Sequence, residues 1–153
     1  HKSYLVKSPI FPLSAYSNNN IFKIFLLDIG LLGAQSHLPA QTLLEEDQLF
    51  KEFKGALTEN FIAQEIINKK NNQLYYWASE GEAEIDFLLE KDHEIYPLEV
   101  KAGANRKKKS LYTYRDKYHP SKLFRTTTMN LKKEDSIFNY PLYFFSKFFS
   151  KTL

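Results

Sequence analysis

The chain is predicted to fold as a mixed α/β domain, a four-stranded sheet with a helix on each face, on three observations. A proline-free segment from about Glu46 to Lys70 carries apolar residues at helical spacing. Three strand-like runs follow it, set apart by turn residues. A second helical segment and a fourth strand-like run then complete the order helix, three strands, helix, strand. That order favours a sheet covered on both sides.

The elements follow from the residues in turn. The first twenty positions carry Pro9, Pro12 and the run Asn18-Asn19-Asn20, and read as an irregular arm with one short strand at best. Phe22 to Leu27 is a compact apolar strand, punctuated by Asp28-Ile29-Gly30, where Asp28 suits a turn or a helix cap. Leu31 to Leu44 is mixed, with a short helix predicted on either side of Pro39. Asn71-Asn72 stops the long helix. The three runs are Gln73 to Ala78, Ala83 to Leu89 and Glu94 to Val100, joined by Ser79-Glu80-Gly81 and by Glu90-Lys91-Asp92-His93. Lys107 to Tyr118 forms the second helix, ended by His119-Pro120, and Ser121 to Thr128 the fourth strand. The aromatic tail from Ile137 to Phe149 is expected to pack back on the domain. Tyr76 and Trp77 read as core or interface residues rather than as platforms for stacked bases. Residues 1–35 form the N-terminal arm and strand, a remnant of a connection to a preceding part, and residues 36–153 the domain itself.

Composition narrows the classes. With 153 residues, 43% apolar and 25% charged, the chain has the make-up of a globular domain and not of a disordered one. Its longest aliphatic or aromatic runs are four residues, such as Ile24 to Leu27, too short to span a bilayer. No secretory signal is visible, and the start at His1 points to a piece of a longer protein. The absence of cysteine excludes disulfides, thiol catalysis and the usual structural zinc sites. The four histidines lack metal-ligand spacing, no glycine belongs to a P-loop, and no G-x-S-x-G elbow occurs. A soluble, cytoplasmic protein with no membrane partner is expected.

Charge is unevenly spread. Between Lys101 and Lys133 eleven basic residues stand against Asp116 alone, which leaves −7 on the rest of a chain whose net charge is +3. Such polarity suits an anionic partner, and Arg106, Lys107, Lys108 and Lys109 are the candidate nucleic-acid contacts. The plainer alternative is a solvated lysine-rich surface.

Carboxylates are the groups that hold hard divalent cations, so three acidic positions call for a geometric test. Along the strand around Asp86, Ile85, Phe87 and Leu89 share one face, and Glu84 and Asp86 the other. In the next strand Glu99 and Lys101 point the same way, while Leu98 and Val100 point into the core. The short turn between these strands brings Asp86 and Glu99 near one end of the pair. Glu59 lies in the middle of an apolar helical stripe, with Ile66 roughly −20° and Ala63 roughly +40° from it at about 100° per residue. A carboxylate there needs a metal, a cation or a hydrogen-bonded partner, because desolvating it alone is costly. An ion pair between Glu59 and Lys101, or escape of Glu59 to solvent, would satisfy it without any ligand.

Taken together, Glu59, Asp86 and Glu99-Val100-Lys101 resemble the active-site order of the PD-(D/E)XK nuclease superfamily, whose restriction-endonuclease-like core runs α-β-β-β-α-β. More narrowly, the chain resembles the uncharacterised C-terminal domain of many bacterial and archaeal AAA-type ATPases. The residues that carry this resemblance are Lys23 to Leu31, Gly55-Ala56-Leu57-Thr58-Glu59-Asn60, Tyr76-Trp77 and Glu84-Ile85-Asp86-Phe87. Glu99-Val100-Lys101-Ala102, Lys109-Ser110-Leu111 and Pro141-Leu142-Tyr143 complete them. The resemblance implies that Asp86 and Glu99 hold Mg²⁺ or Mn²⁺, helped by the Val100 carbonyl and by Glu59. It implies that Lys101 orients the attacking water and offsets charge on the scissile phosphate. Glu59, Asp86, Glu99 and Lys101 are then the catalytic set, DNA the substrate, and the ATPase domain a partner within the full-length protein. Ile85 stands where the superfamily's nominal motif has proline. Two rival expectations remain: a non-catalytic interaction or regulatory module of the ATPase with the same fold, and a structural domain with an internal Glu59–Lys101 pair.

Overall fold

The computed structural model describes residues 1–37, 48–70, 73–103 and 108–147. The chain enters as β1 (Lys2–Val6), makes one helical turn, α1 (Leu13–Tyr16), and returns antiparallel to β1 as β2 (Ser17–Ile24). The arm thus holds its one short strand, β1, while the strand expected over Phe22 to Leu27 starts earlier, at Ser17 within the arm, and ends at Ile24. The asparagine run explains the misleading signal. Tyr4 pairs with Phe22 but Leu5 with Asn18, so Asn19, Asn20 and Ile21 are left over in a bulge. Within it Asn18 Oδ1 accepts the Asn20 N–H at 2.9 Å, the local capture that makes asparagine a turn residue.

Asp28 caps α2 (Ile29–Gln35): its Oδ1 accepts the Leu31 N–H at 2.7 Å, as its position before the helix predicts. The short helix expected after Pro39, and the Asn71-Asn72 stop, fall outside the described residues. The long helix is α3 (Gln48–Lys70). Next, β3 (Leu74–Ala78) runs parallel to β1 and antiparallel to β4 (Glu84–Ile85), which gives a sheet of order β2-β1-β3-β4.

A hairpin of β5 (Phe87–Lys91) and β6 (Glu94–Val100) opens the second sheet. Its turn residues Asp92 and His93 take φ of 52° and 65°, the left-handed pair that matches the twist of a tight hairpin. Helix α4 (Lys109–Tyr118) stops at His119, also left-handed, whose N–H reaches the Arg115 carbonyl at 2.8 Å before Pro120 forbids continuation. Strand β7 (Leu123–Thr127) lies parallel to β6, and β9 (Ile137–Pro141) parallel to β7, with β8 (Lys132–Glu134) antiparallel at the edge. The order is β5-β6-β7-β9-β8.

The α/β class and the sequence of helices and central strands follow expectation. The single four-stranded sheet does not: two mixed sheets of four and five strands stand in its place. The added strands come from the arm and the tail, and β9 alternates buried and half-buried residues as a strand should. No helix among the described residues is long and apolar enough to cross a membrane.

A helix covers each side of the second sheet. Ile62, Ala63 and Ile66 of α3 pack with Phe87, Leu89, Leu98, Val100 and Phe124, and fully buried Phe145 joins them, so the tail does fold back. Leu111 and Tyr114 of α4 pack with Trp77, Ile85, Leu88, Leu123 and Ile137. Trp77 is wholly buried, edge-on to Tyr114 at 5.2 Å, and its indole N–H donates to the Tyr118 hydroxyl at 3.1 Å. One expectation is corrected here. Ile85 belongs to the α4 cluster while Phe87 and Leu89 belong to the α3 cluster, so the three do not share a face. The run is two strands jointed at Asp86, and the alternation restarts across the joint.

Candidate functional site

Asp86 occupies the joint between β4 and β5 and is 7% exposed, buried rather than presented on an open sheet. Its Oδ2 accepts the Val100 N–H at 2.6 Å, which ties the joint to the end of β6. Val100 thus contributes its N–H here. Next to it Glu99 is 3% exposed, and its Oε2 has no hydrogen-bond partner. The other oxygen, Oε1, stands 3.3 Å from Lys101 Nζ, as two-residue spacing along a strand predicts.

Glu59 reaches the same region from α3. Its ion-pair partner is Lys23 of β2 at 3.9 Å, in place of the Lys101 named in the ligand-free alternative. Lys23 also binds Glu84 of β4 and sits 5.0 Å above the centre of the Tyr76 ring. Two amides of α3 hold the chain that leads away from Lys23. Asn60 Oδ1 accepts the Leu26 N–H at 2.7 Å, and Gln64 Nε2 donates to the Leu27 carbonyl at 2.9 Å. A cleft of about 380 Å³ opens beside them, lined by Lys23, Leu26, Ala56, Glu59 and Asn60 among others.

Behind Glu99 a polar row crosses the sheet. Glu99 pairs in register with Arg125 on β7, and Arg125 with Asn139 on β9. Arg125 is 1% exposed; its Nε donates to Asn139 Oδ1 at 3.2 Å, while Nη1 has no partner. Thr127 Oγ1 donates to the same Asn139 oxygen at 3.0 Å.

The family model for a domain of unknown function, DUF4143, matches residues 54–145 of this chain. The chain belongs to the DUF4143 family. No curated protein and no solved structure matches it. The matched stretch of the DUF4143 domain takes in Glu59, Asp86, Glu99, Lys101 and Arg125, while Lys23 precedes it.

The electrostatics of the DUF4143 site are those of crowded carboxylates, with Asp86 and Glu99 buried and Glu59 and Glu84 partly open to solvent. Burial raises Glu59, the nearby Asp86 raises it further, and Lys23 only partly opposes them, so its pKa reaches about 7. Burial also raises Asp86, against the Val100 N–H and the charge of Lys101. Burial raises Glu99 too, with Lys101 in opposition. For Lys23 burial acts to lower the pKa, but Glu84 and Glu59 outweigh it and leave it raised. Four carboxyl groups, Glu59, Glu84, Asp86 and Glu99, thus face Lys23, Lys101 and Arg125, one positive charge short of balance.

Among the described residues no three histidine, aspartate or glutamate side chains gather round one point as a ready metal site. The pair Asp86 and Glu99 is still a donor set of the kind Mg²⁺ accepts, since that ion is often held by one or two carboxylates and completes its shell with water or phosphate. The orphaned Glu99 Oε2, a buried acceptor without a donor, fits a cation there.

The candidate nucleic-acid contacts fare unevenly. Arg106 and Lys107 lie outside the described residues. Lys108 is mostly buried and binds Glu134, which also takes Lys132 at 2.7 Å. Those two lysines hold the Glu134 pKa down at about 2. Lys109 is well exposed, 3.7 Å from an equally exposed Glu82. Lys23, Glu84 and Arg125 are the site residues that sequence reasoning missed. Arg125 had one readable signal: it sits mid-strand in a run of β-formers, an unusual place for a solvated arginine.

Proposed function

We propose that this DUF4143 chain is the C-terminal nuclease-like domain of an AAA-type ATPase, and that it binds DNA at a site equipped for Mg²⁺-dependent phosphodiester hydrolysis. The observation that carries the reading is the convergence of Asp86, Glu99 and Lys101 at the β4–β5 joint and the end of β6, with Glu59 facing them from α3. The run α3, β3, β4–β5, β6, α4, β7 supports it, because it follows the α-β-β-β-α-β order of a restriction-endonuclease-like core. A DNA substrate and a chain without cysteine suit the cytoplasm.

Each residue has a task that follows from its surroundings. Asp86, clamped by the Val100 N–H, presents a fixed carboxylate. Glu99 supplies its unpartnered Oε2 beside it. Together they would hold a divalent cation, which when bound polarises a phosphoryl oxygen and lowers the pKa of water. Lys101, drawn toward Glu99, sets an ammonium group where charge develops on the phosphate. Glu59, with a pKa of about 7, is poised to hold or release a proton near neutral pH.

The test is incubation of the full-length protein with labelled duplex, branched and single-stranded DNA plus Mg²⁺ or Mn²⁺. Cleavage by the wild type that is lost in Asp86→Asn and Lys101→Met supports hydrolysis. Binding without cleavage under every condition leaves a DNA-binding domain only.

A second reading, a non-catalytic interaction or regulatory module of the ATPase, is favoured by one observation. Lys23 already bridges Glu59 and Glu84 from within the chain and offsets part of their charge. Under that reading neither metal shifts the melting temperature, and the domain binds no DNA even at low salt.

A further inference from the structure

Lys23 is a charge at the centre of the site to which the hydrolytic set gives no task. Its ammonium group joins Glu59 on α3 to Glu84 on β4, and its side chain is 26% exposed. The Tyr76 ring beneath it gives the cation a second, weaker foothold. A lysine head is a compact point charge on a flexible stem, so it can leave one carboxylate for another or for water. Two further facts bear on what would make it leave. Asp86 and Glu59 repel each other across the site, and Lys23 is among the charges that moderate both. Glu99, nearly fully buried, keeps one oxygen without any donor.

We propose that Lys23 is the resident counter-ion of this carboxylate cluster, partly offsetting the charge of Glu59 and Glu84 in the metal-free protein and moving off Glu59 when a divalent cation binds beside Asp86 and Glu99. The inference rests on the metal reading above and adds a regulation to it. The two cations, ammonium and metal, compete for one set of negative charges. Lys23 therefore weakens metal binding and makes occupancy depend on the free metal concentration.

Isothermal titration of the chain with Mn²⁺ alone, at one fixed pH, tests this. Lys23→Met is expected to bind Mn²⁺ about tenfold more tightly than the wild type, within the usual range for coupled sites. Lys23→Arg, which keeps the charge, should stay within about twofold of the wild type on that same scale. A second measurement needs no variant and so does not depend on the folding of Lys23→Met. The wild type is treated with an amine-acetylating reagent with and without Mn²⁺, and labelling is read by mass spectrometry. Lys23 labelling should rise several-fold with Mn²⁺, while exposed Lys122 stays constant. Equal Mn²⁺ affinity in wild type and Lys23→Met, or Lys23 labelling that Mn²⁺ leaves unchanged or lowers, overturns the proposal and spares the metal site. No Mn²⁺ binding by either chain overturns both.

Discussion

At Glu59 a single proton reports the balance between burial and the charge of Lys23. Its folded pKa of about 7 lies above the ordinary value of 4.5. The folded chain therefore holds this proton more tightly than the unfolded chain does. The stability so gained is complete below the ordinary value and is lost as pH rises through the folded one. Without metal, urea midpoints should fall between pH 4.5 and 7 for the wild type, and Glu59→Gln should flatten that slope. Arg125 carries a second prediction at this scale. Replacing it by Met removes a charge that acts on buried Glu99 and strips Asn139 Oδ1 of one donor, at an expected loss of about 1–3 kcal/mol by chemical denaturation. Of these residues, Asp86, Glu99 and Lys101 were legible because a two-residue spacing and a short hairpin fix where they meet. Lys23 and Glu84 were not: their bond joins positions 61 apart in sequence, and no local pattern encodes such a meeting.

Elements meet through amides as well as through apolar faces. Asn60 is 2% exposed and satisfies the Leu26 N–H that follows β2, so α3 holds the strand end from which Lys23 projects. Asn60→Ala strips a donor of its partner and should destabilise the domain by about 1–3 kcal/mol. It should also loosen the Lys23–Glu59 pair, which amine labelling of Lys23 in the metal-free protein would record as an increase. Helices α3 and α4 and the β5–β6 hairpin could be read from period and turn chemistry, which are local. The bend at Asp86 could not, because the polar and apolar residue types alternate from Glu84 to Phe87 as in an unbroken strand, although the side chains do not. Strands β8 and β9 and the Ser17–Ile21 part of β2 escaped for a related reason. Each is completed by a partner far along the chain or by an edge position, and proline, asparagine or aromatic clusters mask the strand pattern.

For the whole molecule, the question is whether an uneven charge distribution makes a binding face. The excess of basic residues between Lys101 and Lys133 was plain from composition, but its pairing was not. Arg125 is buried, Arg115 binds Asp116 and Lys108 binds Glu134, so the usable positive surface is smaller than the count suggests. If DNA binds here, its affinity falls with salt as counterions are released. Lys109→Gln should lower the slope of log affinity against log salt by about one, uniformly across sequences. Lys108→Gln should leave that slope nearly unchanged and act instead on the melting temperature, through the lost Glu134 pair. Filter binding over a salt series separates the two.

The row Glu99, Arg125 and Asn139 has a consequence for how the chain finds its fold. Strands β6, β7 and β9 are parallel neighbours that must align across connections holding α4 and β8, and such non-local pairings form slowly. A slip of one residue would turn every side chain of β7 to the opposite face. Arg125 would then enter the cluster of Phe87, Leu98 and Phe124 with no acceptor waiting for it. The guanidinium that looks expensive in the finished domain would make that wrong alignment costlier still, since burying it there without a partner carries a penalty.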